Sequence, residues 1–152
     1  MAIWQFEVAL LPAATDMLVR TNRGFDLAPI ALQAVSSIRP LLGAALGRPY
    51  LDDGGVVSYG SLAGNRVHLI PSGEAGCEVW IGIDARSDAD SFCKLMLGIA
   101  QFLDCELFSP EFEQRLPPER KALTEALMSS RAWVYALDPS QFKETAHGWM
   151  HI

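Results

Sequence analysis

Apolar and polar residues alternate most regularly in Cys77-Glu78-Val79-Trp80-Ile81-Gly82-Ile83-Asp84, where the odd positions are apolar and the even ones are Glu, Trp, Gly and Asp. A period of two marks a strand with one buried face. Arg66-Val67-His68-Leu69-Ile70 repeats it, with Val67 and Leu69 on one side and Arg66, His68 and Ile70 on the other. Val56 to Leu62 reads as a further strand. Ala63-Gly64-Asn65 and the looser Pro71 to Gly76 supply the turns, because Gly and Asn tolerate positive φ. The stretch predicts an antiparallel meander that runs into an amphipathic helix, in which Phe92, Leu95, Met96, Ile99 and Phe102 recur at spacings of three and four. Ser87 as N-cap, with Asp90 three residues on, forms a capping arrangement for that helix.

The flanks are sparser. Trp4, Phe6, Val8 and Leu10 alternate with polar or small residues in a first strand that stops at Pro12. Asp26 caps a predicted helix with Pro29 in its first turn and Ile30, Ala34 and Ile38 at helical spacing. Pro40 breaks or kinks it, and a second piece, Leu41 to Leu46, ends at Gly47. Cys105 to Phe108 returns a strand to the sheet. Pro117-Pro118-Glu119 starts a helix carrying Leu123, Ala126 and Leu127, and Asp138-Pro139 starts a last helical turn toward Gly148. The order β-α-βββ-α-β-α predicts a single α+β domain over residues 1–152: a mostly antiparallel sheet of four or five strands with helices packed on one face.

Charge narrows the partners. The 152 residues carry 12 Lys and Arg against 18 Asp and Glu, a formal charge of −6, which disfavours nucleic acid and anionic membranes and favours a basic protein. The chain offers no basic leader before an apolar run and no apolar segment near the ~18 residues that span a bilayer, so it is expected to be soluble and cytoplasmic. Cys77, Cys93 and Cys105 form no C-x-x-C pair and read as reduced, buried thiols.

Candidate chemistries each have a simpler reading. Asp88 and Asp90 complement a helix dipole better than they hold a metal. His147 and His151 have the i, i+4 spacing of zinc ligands, but lack an adjacent Glu and lie in the last residues. Asp52-Asp53-Gly54-Gly55 is a turn lacking the further oxygen ligands calcium needs. Neither Gly-rich stretch matches a phosphate-binding pattern. His68, the only internal histidine, has no nucleophile and acid that spacing can assign to it. No catalytic residue, metal or cofactor is expected.

What survives is a surface. If Gly64-Asn65 is a two-residue turn, Tyr59 joins His68 and Trp80 on the face opposite the core, beside Arg66 and Glu78; a three-residue turn points Tyr59 inward. Exposed Trp and Tyr among charges are the composition of interface hot spots. Arg39-Pro40-Leu41-Leu42-Gly43, Gly64-Asn65-Arg66-Val67-His68, Ile83-Asp84-Ala85-Arg86, Ser129-Ser130-Arg131-Ala132 and Asp138-Pro139, taken in order, resemble small bacterial immunity proteins that accompany polymorphic or contact-delivered toxins. That resemblance implies a compact acidic α+β protein that binds one cognate toxin and carries no enzymatic activity. It assigns no contact residue. The acidic loops with Asp52, Asp53, Glu74 and Asp84 and the face around Tyr59, His68 and Trp80 are the expected partner-binding residues, and a homodimer through the open face stays open. The alternative is a small-molecule-binding domain or small enzyme with a cleft between sheet and helices, using His68 and Asp84.

Overall fold

The computed structural model describes residues 1–152 apart from 16–17, 22–23, 146–147 and 152, with the backbone alone for 18–21. In chain order the strands are β1 (Gln5–Pro12), β2 (Leu18–Thr21), β3 (Gly24–Leu27), β4 (Ile30–Ala31), β5 (Tyr50–Leu51), β6 (Val57–Gly60), β7 (Arg66–Ser72), β8 (Gly76–Asp84), β9 (Cys105–Ser109), β10 (Gln114–Leu116), β11 (Phe142–Thr145) and β12 (Gly148–His151). The helices are α1 (Leu32–Leu46), α2 (Asp90–Phe102), α3 (Arg120–Ser129) and α4 (Arg131–Leu137).

The fold is α+β, and its main sheet is larger than the four or five strands expected. Eight strands pair in the order β10-β9-β1-β8-β7-β6-β5, with β4 also paired to β8. Every pairing is antiparallel. The extra strands are two or three residues long and carry no alternation to read. The predicted meander is β6-β7-β8, and β1 and β9 lie where their apolar faces join it.

One sheet face carries the main core. Phe6, Val8 and Leu10 of β1 and Val79, Ile81 and Ile83 of β8 meet Val35, Ile38 and Leu42 of α1, Met96 and Ile99 of α2, and Leu123 of α3. At roughly 1.5–3 kcal/mol for each large side chain buried, this layer dominates the stability. The opposite face is half covered: Ala9, Leu11 and Phe108 are sealed by Leu27, with Phe25 and Ala28, at the end of the β2–β3 hairpin. Phe25 meets Phe108 edge-on at 4.9 Å.

Several local expectations are corrected. Asp26 caps no helix: it lies in β3, paired across from Val19. Ile30 pairs with Cys77, so ladder hydrogen bonds claim this segment and α1 begins only at Leu32. Pro40 sits inside α1 without ending it, and the helix stops at Gly47, whose φ of +90° suits glycine. Ser87 is not the cap of α2; the helix starts later, with Asp88 Oδ1 accepting the Asp90 amide at 3.0 Å. Phe102 is 70% exposed rather than core-facing. The last segment is no helix beyond the single 3-10 turn Pro139–Gln141. It forms the β11–β12 hairpin, held by Phe142 and Trp149 against the Tyr135 ring at 5.7 and 5.4 Å. The His147/His151 pair includes His147, outside the described residues. Among the described residues no helix is long and apolar enough to cross a membrane, and no three His, Cys, Asp or Glu side chains gather as a metal site.

Candidate functional site

The uncovered half of the second face is built by register. One cross-strand row runs Tyr50, Ser58, His68, Trp80, Ala9, Phe108 and Arg115 from edge to edge. Phe108 and Ala9 are fully buried under the β2–β3 hairpin, whereas Trp80 and His68 are half-buried and Tyr50 is 42% exposed. Arg115 anchors the segment leading to that hairpin: it pairs with Glu106 at 2.7 Å and donates to the carbonyls of Pro12, Ala13 and Thr15. The boundary between covered and open sheet falls at Trp80.

Tyr59 does not join this surface. It pairs with Val67 instead of standing opposite Ile70, and is 2% exposed in the main core, where its hydroxyl accepts from Arg39 Nε at 3.2 Å. The turn is neither two nor three residues but a loop of residues 61–65, closed by the Ser61 amide on the Asn65 carbonyl at 3.0 Å. Gly60 makes this closure feasible, with φ +87° and a position where a Cβ would lie 2.3 Å from the Asn65 carbonyl oxygen. An odd change of register turns a strand over, so Ser58 takes the outer place beside His68.

Ser58 Oγ lies 2.6 Å from His68 Nδ1. Burial first, then the nearby Arg66 charge, holds His68 below its ordinary value, with Asp52 opposing. Among the described residues no carboxylate hydrogen-bonds the ring, so the pair lacks the orienting acid of a catalytic triad. Trp80 Nε1 donates to Glu78 Oε1 at 3.1 Å, which fixes the indole with one edge tied and its apolar body half open.

The four acids expected at the surface separate into two groups. Asp52, Asp53 and Glu74 are exposed at one end of the sheet, where the β5–β6 turn meets the end of β7 through Gly55 and Pro71. Asp52 Oδ1 accepts the amides of Gly54 and Val56 at 2.8 and 3.0 Å and shapes that turn. Asp84 is at the other end and is 7% exposed. It binds Arg86 through both carboxylate oxygens at 3.0 Å, and its amide donates to Asn65 Oδ1 at 2.8 Å. With Gln5 donating to the Leu62 and Gly64 carbonyls and Trp4 to that of Ala63, it anchors the 61–65 loop. Asp84 is therefore an internal fastening, not a free acidic contact.

Tyr50 completes the surface with Ser58 buried beside it at 5% exposure, and sequence patterning missed both; Glu78 stands beside Trp80 as the alternation expects. A two-residue strand has no period to detect, and Ser58 joins the His68 side of the sheet only because of the loop length. The three cysteines are free, and burial pushes the Cys93 and Cys105 thiols up to about 11. A cavity between α2 and α3 is lined by neither His68 nor Asp84. No protein-family model, curated protein or solved structure matches this chain.

Proposed function

We propose that this is a non-catalytic immunity protein that binds and neutralises a cognate bacterial toxin, taking a basic surface of that toxin on the open face of β5 to β8. The observation that carries the reading is the coincidence of an apolar, half-open patch with an acidic end. Trp80, His68 and Ile70 lie half-buried on strands rather than loops, and Tyr50 is 42% exposed in the same cross-strand row. Asp52, Asp53 and Glu74 stand at the adjoining sheet end, with Glu78 beside Trp80. Carboxylates there speed the approach of a basic partner, and a partly desolvated Trp holds it once docked. The net charge of −6 acts in the same direction. Neutralisation follows by steric cover of the toxin's own site and asks no chemistry of this chain; the working compartment is the cytoplasm of the cell that makes the toxin.

The test is titration calorimetry and stopped-flow binding against the toxin encoded beside this chain. Trp80→Ala is expected to weaken the complex by roughly 30-fold or more, the size of a hot-spot truncation. The triple change Asp52→Asn, Asp53→Asn, Glu74→Gln should slow association and flatten its salt dependence, with dissociation little altered. Asp84→Asn should leave affinity unchanged as long as the loop holds. Absence of any complex with the neighbouring toxin, together with no protection of cells expressing it, defeats the reading.

A further inference from the structure

The helix layer contains a space that neither the core nor the sheet surface uses. Helices α2 and α3 are tied at two points along α2: Asp90, its first residue, pairs with Arg120, and Gln101 in its last turn donates to the Pro118 carbonyl at 2.9 Å. Between these ties lies a half-open cavity of about 620 Å³, within the range of small-molecule sites, roughly 300–1,000 Å³. Its inner wall is apolar: Leu97, Leu123 and Leu127 are nearly buried, and Trp133 closes the wall from α4. Protein interiors fill such spaces with side chains. Here α2 presents Gly98, where a Cβ would meet nothing within 4 Å, and the wall stays bare.

The mouth is charged but unevenly committed. Arg120 and Asp90 neutralise each other, and Asp88 Oδ1 accepts the Asp90 amide. Lys94 is exposed at the rim with no hydrogen-bond or ion-pair partner among the described residues. Asp88 also keeps its charge at the rim without an ion-pair partner among the described residues, so Lys94 is the one rim cation left to hold an anion above the apolar floor. Both ties converge on the start of α3, at Pro118 and Arg120, and the basin they frame is half open.

We propose that this basin binds a small amphipathic anion, an apolar body resting on Leu97, Leu123, Leu127 and Trp133 with a carboxylate or sulfonate held at Lys94. This site is independent of the sheet face and of any toxin docked there. Cys93 also lines it and serves as a local reporter.

The test uses the whole protein and two naphthalene probes of similar apolar body, anionic 1-anilinonaphthalene-8-sulfonate and neutral N-phenyl-1-naphthylamine. The expected result is saturable one-to-one binding of the anionic probe with an unchanged or raised Tm, and slower iodoacetamide labelling of Cys93, read by mass spectrometry, with Cys77 and Cys105 unaffected. Lys94→Met should weaken the anionic probe about two- to fivefold, the size of one exposed ion pair, and leave the neutral probe unchanged. Thr124→Phe, at an exposed lining position, should fill the basin and abolish both while keeping the fold, as judged by circular dichroism. Non-saturable binding, no protection of Cys93, equal loss of both probes in Lys94→Met, or full binding by Thr124→Phe overturns the proposal. None of these outcomes bears on toxin binding.

Discussion

The Arg66 side chain lies flat across Gly82, so that a Cβ at position 82 would stand 3.0 Å from Arg66 Cγ and 3.1 Å from its Nε. A methyl here would have to push the Arg66 stem aside by a few tenths of an ångström. Gly82→Ala is therefore expected to lower stability by about 1–3 kcal/mol, the usual cost of overpacking. Urea unfolding measures it, and an unchanged midpoint would mean that Arg66 moves aside freely.

Arg66 itself is 5% exposed. Its Nη2 meets Glu7 Oε2 at 3.3 Å, while Nη1 is buried with no hydrogen-bond partner. An unmatched buried donor costs more than an apolar atom in the same place. Arg66→Met keeps the stem over Gly82, removes that donor and leaves Glu7, 28% exposed, in contact with water. The expected result is stability unchanged or raised by up to about 2 kcal/mol, whereas Arg66→Ala, which also strips the packing, should destabilise. A large loss in Arg66→Met would show that the Glu7 pair contributes more than its geometry suggests.

These two residues also show what the chain reveals before its structure is known. Alternation placed Gly82, His68, Trp80 and Arg66 on the non-core face, because a strand's period is local and each long strand has one buried side. The position of Tyr59 was not local. It depended on a five-residue loop whose closure is set at Gly60 and whose fastening comes from Gln5, Trp4 and Asp84, residues distant in the chain. The two-residue β4 and β5 are likewise products of pairing with the main sheet, and the β2–β3 cover and the terminal hairpin, each a separate two-stranded sheet, are docked by the Phe25–Phe108 and Tyr135 ring contacts. Asp26 and Pro29 carry a sound helix-start pattern that strand pairing overrides. Acidity at Asp52, Asp53 and Glu74 was legible because turns are exposed; the burial of Asp84 was not, since it required Arg86 to fold back onto it.

That fastening at Asp84 can be probed. The carboxylate accepts the Arg86 amide at 2.9 Å as well as the guanidinium, and the guanidinium in turn covers the Trp4 ring at 3.9 Å. Asp84→Asn weakens every charge-assisted bond in the set, and a loss of about 1.5–3 kcal/mol is expected. Hydrogen exchange should quicken first at Ser61 and Gly64, whose amides close the loop. Protection retained at both amides would move the anchoring role to Gln5 and Trp4.

Titration of His68 gives the last prediction. Its folded-state value lies below the ordinary 6.5, mainly through burial and then through Arg66, against an opposing pull from Asp52. When the unfolded chain binds a proton more readily than the folded one, stability rises with pH between the two values. The neutral ring's contribution is therefore intact above pH 6.5 and is lost progressively as pH falls below that point, through the folded value. Wild-type protein should lose more stability between pH 7.5 and 5 than His68→Asn, which cannot titrate; other groups titrate alike in both, so the difference isolates this ring. Paired Tm measurements across that range check it. Parallel curves would mean that His68 is as free in the folded chain as in the unfolded one, and that its 2.6 Å contact with Ser58 does not keep it neutral.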